Sequence, residues 1–284
     1  MLPVISTAEL AALLDAGPSA RPAVLDVRWR LTGPPGVDSY HQGHLPGAVY
    51  VDIDTELAST PGAGGRHPLP EPAALQRTLR AAGVRAGHPV VAYDDGDSSV
   101  AARAWWLLRW AGHTEVAVLD GGFATWRAEG RPVTTEPAEP AEGDITVEPG
   151  GLPVLDADGA AARARARDGV LLDARAPQRY TGETEPVDPR AGHIPGAVNA
   201  PFTAHTGPDG RWRSPAELAE HFAALGVTPD TQAGAYCGSG ITASSVVLAL
   251  ELAGRPEPAA LYAGSWSHWC ADPARPAATG PEPH

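Results

Sequence analysis

Lysine is absent from this sequence; all 21 basic residues are arginine, so any permanently cationic side chain that draws in an anionic substrate is an arginine. Positive charge is scarce overall. The formal net charge is −13, which argues against nucleic acid and against anionic membrane surfaces, both of which would be repelled. There are only two cysteines, which excludes a disulfide framework of the secreted kind. No apolar run approaches the length of a membrane span, and the start, MLPVISTAELAALLDAG, carries no basic leader. It reads as a strand followed by an amphipathic helix, with Ser6 and Glu9 forming a capping box. The expected setting is the cytoplasm.

What is present is enough chain for two ordinary domains. The 284 residues are 43% hydrophobic and include eight tryptophans, so each half can bury its own core. Four ordered blocks recur. VLDVR at 24–28 returns as LLDAR at 171–175, and GHLPGAVYVD at 43–52 returns as GHIPGAVNAP at 192–201. GVRAGHPVVAYDD at 83–95 is answered by GVTPDTQAGAYCG at 226–238, and GGFATW at 121–126 by GSWSHW at 264–269. So long a period indicates duplicated domains, not a solenoid. Short apolar strands alternate with helical stretches in each copy, which predicts an α/β fold with a parallel sheet flanked by helices on both faces. Helices are expected over 72–82, over 214–225 (Ser214 cap, Pro215 first, Glu217 closing the box) and from about Thr242. Expected boundaries are a first domain at 1–135, a linker at 136–150 and a second domain at 151–284. Asp144–Val147 is a candidate first strand of the second domain, and the Pro/Ala-rich tail after Ala271 is expected to be loose.

The chemistry concentrates in AGAYCGSGITASSVVLALEL, residues 233–252. A buried strand ends at Tyr236, Cys237 follows, and a glycine-rich turn leads into a helix. The backbone of Gly238, Gly240, Ile241 and Thr242 is the candidate anion cradle, because a tight turn aims successive N–H groups at one centre and a helix N-terminus favours negative charge. A thiolate is the nucleophilic form of cysteine, so this position suits nucleophilic catalysis. Buried packing, the commonest role of a free cysteine, would not need such a cradle. The first copy has Asp94 where the second has Cys237. A carboxylate there can stand in for the charged sulfur, which would leave the first domain catalytically silent.

CGSGIT before a helix resembles the active-site loop of the rhodanese sulfurtransferases, and Cys-Gly-Ser-Gly is closest to its 3-mercaptopyruvate version. The resemblance spans almost the whole chain. It implies two tandem rhodanese-like domains and a sulfurtransferase that moves sulfur from 3-mercaptopyruvate through a persulfide on Cys237 to a thiol, a thioredoxin-like protein or cyanide. No metal or organic cofactor is implied. Two arginines ahead of the GHIPG turn would clamp the substrate carboxylate and carbonyl. Arg179 matches the first; Arg190 is the nearest match to the second, because Asp188 stands nine positions after Arg179. A Ser–His–Asp relay that protonates the departing enolate would consist of Ser239, His67 and Asp54.

Thiosulfate is the rival donor. It gains most from positive charge beside the nucleophile, and Gly238 and Ser239 supply only dipoles and a hydroxyl. A Cys-x5-Arg phosphatase is excluded because Ala243 stands where the arginine belongs. A non-catalytic rhodanese module used for binding conflicts with the intact Cys237 loop. The pairs Asp26/Arg28 and Asp173/Arg175 recur in both copies and read as structural ion pairs; His44 and His193 likewise read as turn chemistry. Cys270, after Trp269, reads as packing. His41 and His44 show the only near-metal spacing, which the repeat explains better.

Overall fold

A computed structural model describes residues 1–17 and 20–283. The chain forms two compact units. The first comprises Met1–Ser59, Pro70–Gly151 and Thr206–Trp212; the second comprises Thr60–Leu69, Leu152–His205 and Arg213–His284.

In the first unit the elements run β1 (Val4–Ile5), α1 (Thr7–Asp15), β2 (Ala23–Asp26), α2 (Gly36–Gln42), β3 (Ala48–Tyr50), α3 (Pro72–Ala81), β4 (Val90–Tyr93), α4 (Ala101–Trp110), β5 (Val116–Leu119) and α5 (Gly122–Ala128). The second has α6 (Ala157–Arg165), β6 (Gly169–Asp173), α7 (Pro177–Thr181), β7 (Val198–Asn199) and a 3₁₀ turn at Phe202–Ala204. It continues with α8 (Pro215–Ala224), β8 (Gln232–Tyr236), α9 (Ala243–Leu252), β9 (Ala260–Leu261) and α10 (Ser265–Trp269). Every strand pairing is parallel, in the orders β1-β5-β4-β2-β3 and β7-β6-β8-β9. The sheet class and the Ser6/Glu9 and Ser214/Glu217 capping boxes therefore agree with the sequence.

Parallel sheets need cover on both faces, so β4 is buried at every position and β8 at all but its first residue. Helices α4 and α9, which follow the two matching turns, are buried almost all round. Such a helix cannot move without unpacking the core, so it fixes the turn ahead of it.

Two expectations need correction. Asp144–Val147 is not a strand: Ile145 N–H donates to Val84 O at 3.4 Å and Glu148 N–H to Ala111 O at 3.0 Å, so this segment packs on the first unit. The strand-like start of the second unit is Val154, which bridges Leu261 in parallel. The tail is not loose. Ala278 exchanges backbone hydrogen bonds with His193 at 2.9 and 3.0 Å, and Trp269 Nε1 donates to Pro276 O at 2.7 Å. Proline there removes donors but leaves carbonyls that the unit uses.

Candidate active site

Cys237 follows the last residue of β8, which lies between β6 and β9, so it sits at the carboxyl end of an interior strand. That is where open α/β sheets bind ligands. The Gly240 N–H donates to Cys237 Sγ at 3.0 Å. Gly240 has φ +87°, and a β-carbon there would lie 2.4 Å from Ala263 O, so the turn requires glycine twice over. The start of α10 holds the loop from below: Trp266 N–H donates to Cys237 O and Ser267 N–H to Gly238 O, both at 2.9 Å. Cys237 N–H donates to Ser265 Oγ at 3.1 Å, and that hydroxyl donates to Tyr262 O at 2.9 Å. Ser265 adopts φ +55°, where the first copy has Gly122 at φ +52°. A non-glycine residue there stores strain, and the hydrogen bond to the Cys237 backbone accounts for the serine.

Beneath the loop lies a frame built twice. Arg175 Nη2 pairs with Asp173 Oδ2 at 2.6 Å and donates to Gly192 O at 2.7 Å; Arg28 pairs with Asp26 at 2.6 Å and donates to Gly43 O at 2.8 Å. His193 stacks on Tyr180 and His44 on Tyr40, with ring centroids 3.8 and 3.7 Å apart. These are structural ion pairs and turn contacts, as the duplication implied.

Charge arrives beside Cys237 from two arginines. A β-carbon on Gly238 would lie 2.9 Å from Arg66 Nη2 and 3.3 Å from Arg179 Nη1. Arg179 also pairs with Glu185 at 2.6 Å and Asp188 at 3.1 Å, and Arg66 Nη1 pairs with the other oxygen of Asp188. Both carboxylates are buried, their side chains 4% and 3% exposed. Burial pushes the Asp188 carboxyl up, with Arg66 and Arg179 pulling the other way. For Glu185 burial also acts upward, but the Arg179 hydrogen bond and nearby backbone donors outweigh it and hold the carboxyl below its ordinary value. The quartet Arg66–Asp188–Arg179–Glu185 is formally neutral. The expectation that no positive charge stands beside the nucleophile is thus corrected: arginines from other segments fill the space that glycine leaves.

The Arg190 guanidinium carbon is 6.0 Å from the centre of the Trp266 ring, with Nε and Nη2 buried and unpaired among the described residues. Ser239 and Ile241 are buried in the loop, and Thr242 is half-buried at the start of α9. His67 is buried in the Thr60–Leu69 segment of the second unit. Asp54 is an exposed residue of the first unit and accepts a hydrogen bond from Trp29 Nε1 at 2.9 Å. Cys270 is buried against Trp266 and Trp269, and burial pushes its thiol up. Sequence reasoning missed Arg66, Glu185 and Ser265. The usable signal was Asp188 in place of an arginine, since a buried acid there calls for a cation from another segment.

In the first unit the corresponding loop is filled by its own side chain. Asp94 Oδ1 accepts from Gly96 N–H at 3.0 Å and Ser98 N–H at 3.1 Å, and Oδ2 accepts from Val100 N–H at 2.9 Å and Ala101 N–H at 3.0 Å. The left-handed residue is Ser98, four positions after Asp94, whereas Gly240 is three after Cys237, so the first loop is one residue longer. Burial, reinforced by Asp97, pushes the Asp94 carboxyl up to about 6 against those backbone donors.

A profile of the rhodanese-like domain matches residues 6–129 and again 156–272. The chain belongs to the rhodanese family. A putative thiosulfate sulfurtransferase (SseB) of Mycobacterium tuberculosis is 44% identical over 279 residues, covering 98% of this chain and 97% of the relative. A probable 3-mercaptopyruvate sulfurtransferase of Pseudomonas aeruginosa is 47% identical over 262 residues, covering 90% and 92%. Among solved structures, the mercaptopyruvate enzyme SseA of Escherichia coli superposes with a TM-score of 0.81 at 30% identity, covering 94% of this chain and all of that one. The chain is a rhodanese-fold sulfurtransferase that transfers sulfane sulfur by way of a cysteine. No helix among the described residues is long and apolar enough to cross a membrane.

Proposed function

We propose that the preferred donor is 3-mercaptopyruvate and that Cys237 carries the sulfur. The Cys237 thiolate attacks the donor sulfur, the carbon–sulfur bond breaks, and its electron pair leaves with pyruvate as the enolate. A proton then reaches the enolate carbon through Ser239, with His67 and Asp54 as the relay behind it. An acceptor thiolate, on a small thiol or a thioredoxin-like protein, attacks the outer persulfide sulfur and regenerates Cys237; cyanide can do the same and leave as thiocyanate. The Gly240 N–H, 3.0 Å from Sγ, supports the thiolate at both ends of the cycle. In this reading the first domain is catalytically silent, with Asp94 closing its own cradle. The setting proposed is the cytoplasm, in keeping with two free cysteines.

The neutrality of the arginine–carboxylate quartet carries the choice of donor. Two buried carboxylates facing the arginines oppose a dianion more than a monoanion, so a carboxylate-bearing thiol is preferred over thiosulfate. One observation favours the second reading, with thiosulfate as donor and sulfite leaving: two guanidinium groups do stand at Gly238. Measuring kcat/KM for the two donors side by side tests the proposal. A higher value for 3-mercaptopyruvate is expected; a higher value for thiosulfate would transfer the assignment.

A further inference from the structure

We infer that Arg66 is the second donor-binding arginine of this site and that Asp188 sets how much positive charge it presents. The inference rests on Cys237 as the sulfur carrier but not on which donor is preferred.

Three observations carry it. First, the internal carboxylates use only part of each guanidinium. Arg179 spends Nε and Nη2 on Glu185 and Asp188, and Arg66 spends Nη1 on Asp188. Arg179 Nη1 and Arg66 Nη2 donate to no described residue, and these are the two nitrogens nearest Gly238, at 3.3 and 2.9 Å from its β-position. Second, Gly238 is the residue after the nucleophile. A side chain there would have to displace Arg66 Nη2, so the bare glycine leaves the space that this guanidinium occupies. An anion lying against Gly238 with its sulfur at Cys237 meets one charge-assisted N–H from each arginine.

Third, Arg66 is held in place independently of its charge. Its backbone N–H donates to Ser267 Oγ at 3.1 Å, on α10, the helix whose N-terminus also ties down Cys237 and Gly238. A β-carbon on the preceding Gly65 would lie 2.8 Å from Gly264 O, so the two backbones approach as closely as glycine allows. The segment therefore delivers Arg66 to the loop even when its side chain is changed. Asp188 then has two effects. It orients both guanidinium groups, and its charge offsets one of them, which penalises a dianionic donor more than a monoanionic one.

Steady-state kinetics of Arg66→Gln, Arg66→Lys and Asp188→Asn with both donors test this, with thermal unfolding to verify folding. Arg66→Gln is expected to raise KM on the order of 10-fold or more for both donors while kcat changes less, with Arg66→Lys intermediate. Asp188→Asn is expected to raise the thiosulfate-to-mercaptopyruvate ratio of kcat/KM several-fold. The inference is overturned if Arg66→Gln leaves both KM values within twofold, or if Arg66→Gln and Asp188→Asn lower kcat alike without moving KM, as a purely structural pair would. Should Arg66→Gln not fold, Asp188→Asn decides: a raised thiosulfate-to-mercaptopyruvate ratio supports the inference, and an unchanged or lowered ratio overturns it. Wild-type preference for thiosulfate would sink the donor assignment alone, because the Arg66 comparison is made within each donor.

Discussion

Replacing Arg179 with glutamine perturbs stability and catalysis by separable amounts. The change removes hydrogen bonds of 2.6 and 3.2 Å to Glu185 and of 3.1 Å to Asp188, both buried. Removing one partner of a buried ion pair costs about 3–5 kcal/mol. Glu185 keeps Arg175 at 3.4 Å and the backbone N–H groups of Val187 and Asp188, and Asp188 keeps Arg66, which places the loss near the lower end, about 3 kcal/mol. For a unit of this size that lowers Tm by on the order of 10 °C. The pH dependence follows from Glu185. Although burial acts upward, the Arg179 hydrogen bond holds its carboxyl below the ordinary 4.5, so the stability it contributes is present above that value and lost as pH falls through its folded-state value. The deficit of the variant is therefore full at pH 7 and shrinks on acidification below about 4.5. For catalysis, one charge-assisted hydrogen bond is worth about 1.5–3 kcal/mol, so kcat/KM for 3-mercaptopyruvate should fall roughly 10–100-fold. Urea unfolding at pH 7 and pH 4 and steady-state kinetics report the two effects. Wild-type stability at pH 7, or a deficit that grows in acid, would refute the ion-pair reasoning; unchanged kcat/KM would refute the clamp.

The remaining predictions concern the two loops. Asp94→Ala leaves four N–H groups without their acceptor, and the three that are buried cost about 1–3 kcal/mol each if they stay unpaired, so the first unit should unfold earlier while persulfide still forms on Cys237. Loss of persulfide formation in a folded Asp94→Ala protein would contradict the silent-domain reading. Because burial pushes the Asp94 carboxyl up to about 6, the fold favours its protonated form; that contribution is complete below 3.8 and is lost as pH rises through about 6. Asp94→Asn should lack this slope in a stability–pH titration, and an identical slope in variant and wild type would assign it to other groups. Ser265→Ala removes the acceptor of the Cys237 N–H but keeps the left-handed backbone, whereas Ser265→Gly removes the same acceptor and relieves the strain. The glycine variant should be more stable than the alanine variant by about 1 kcal/mol in chemical unfolding, and equal stabilities would show that φ +55° costs nothing here.

The duplicated architecture was legible because each block pairs a short apolar strand with turn chemistry: VLDVR and LLDAR, GHLPG and GHIPG. The Cys237 turn was legible because Gly240 does what only glycine does easily. Arg66 was not, since nothing local in RHPLP says that residues 60–69 pack with the second unit, and such long-range pairing leaves no periodicity. The tail was misjudged for a related reason. Proline-rich sequence reads as loose, yet the carbonyls of Pro276 and Ala278 are both used. Asp188 carried part of the missing information: the acid that stands where the resemblance expects an arginine is paired with Arg66.

Intact-protein mass spectrometry after treatment with 3-mercaptopyruvate tests the central claim most directly. The account predicts one added sulfur, mapped to Cys237 by peptide analysis, removed by an acceptor thiol and absent in Cys237→Ser. An added sulfur that persists in Cys237→Ser, or that maps to Cys270, would contradict it.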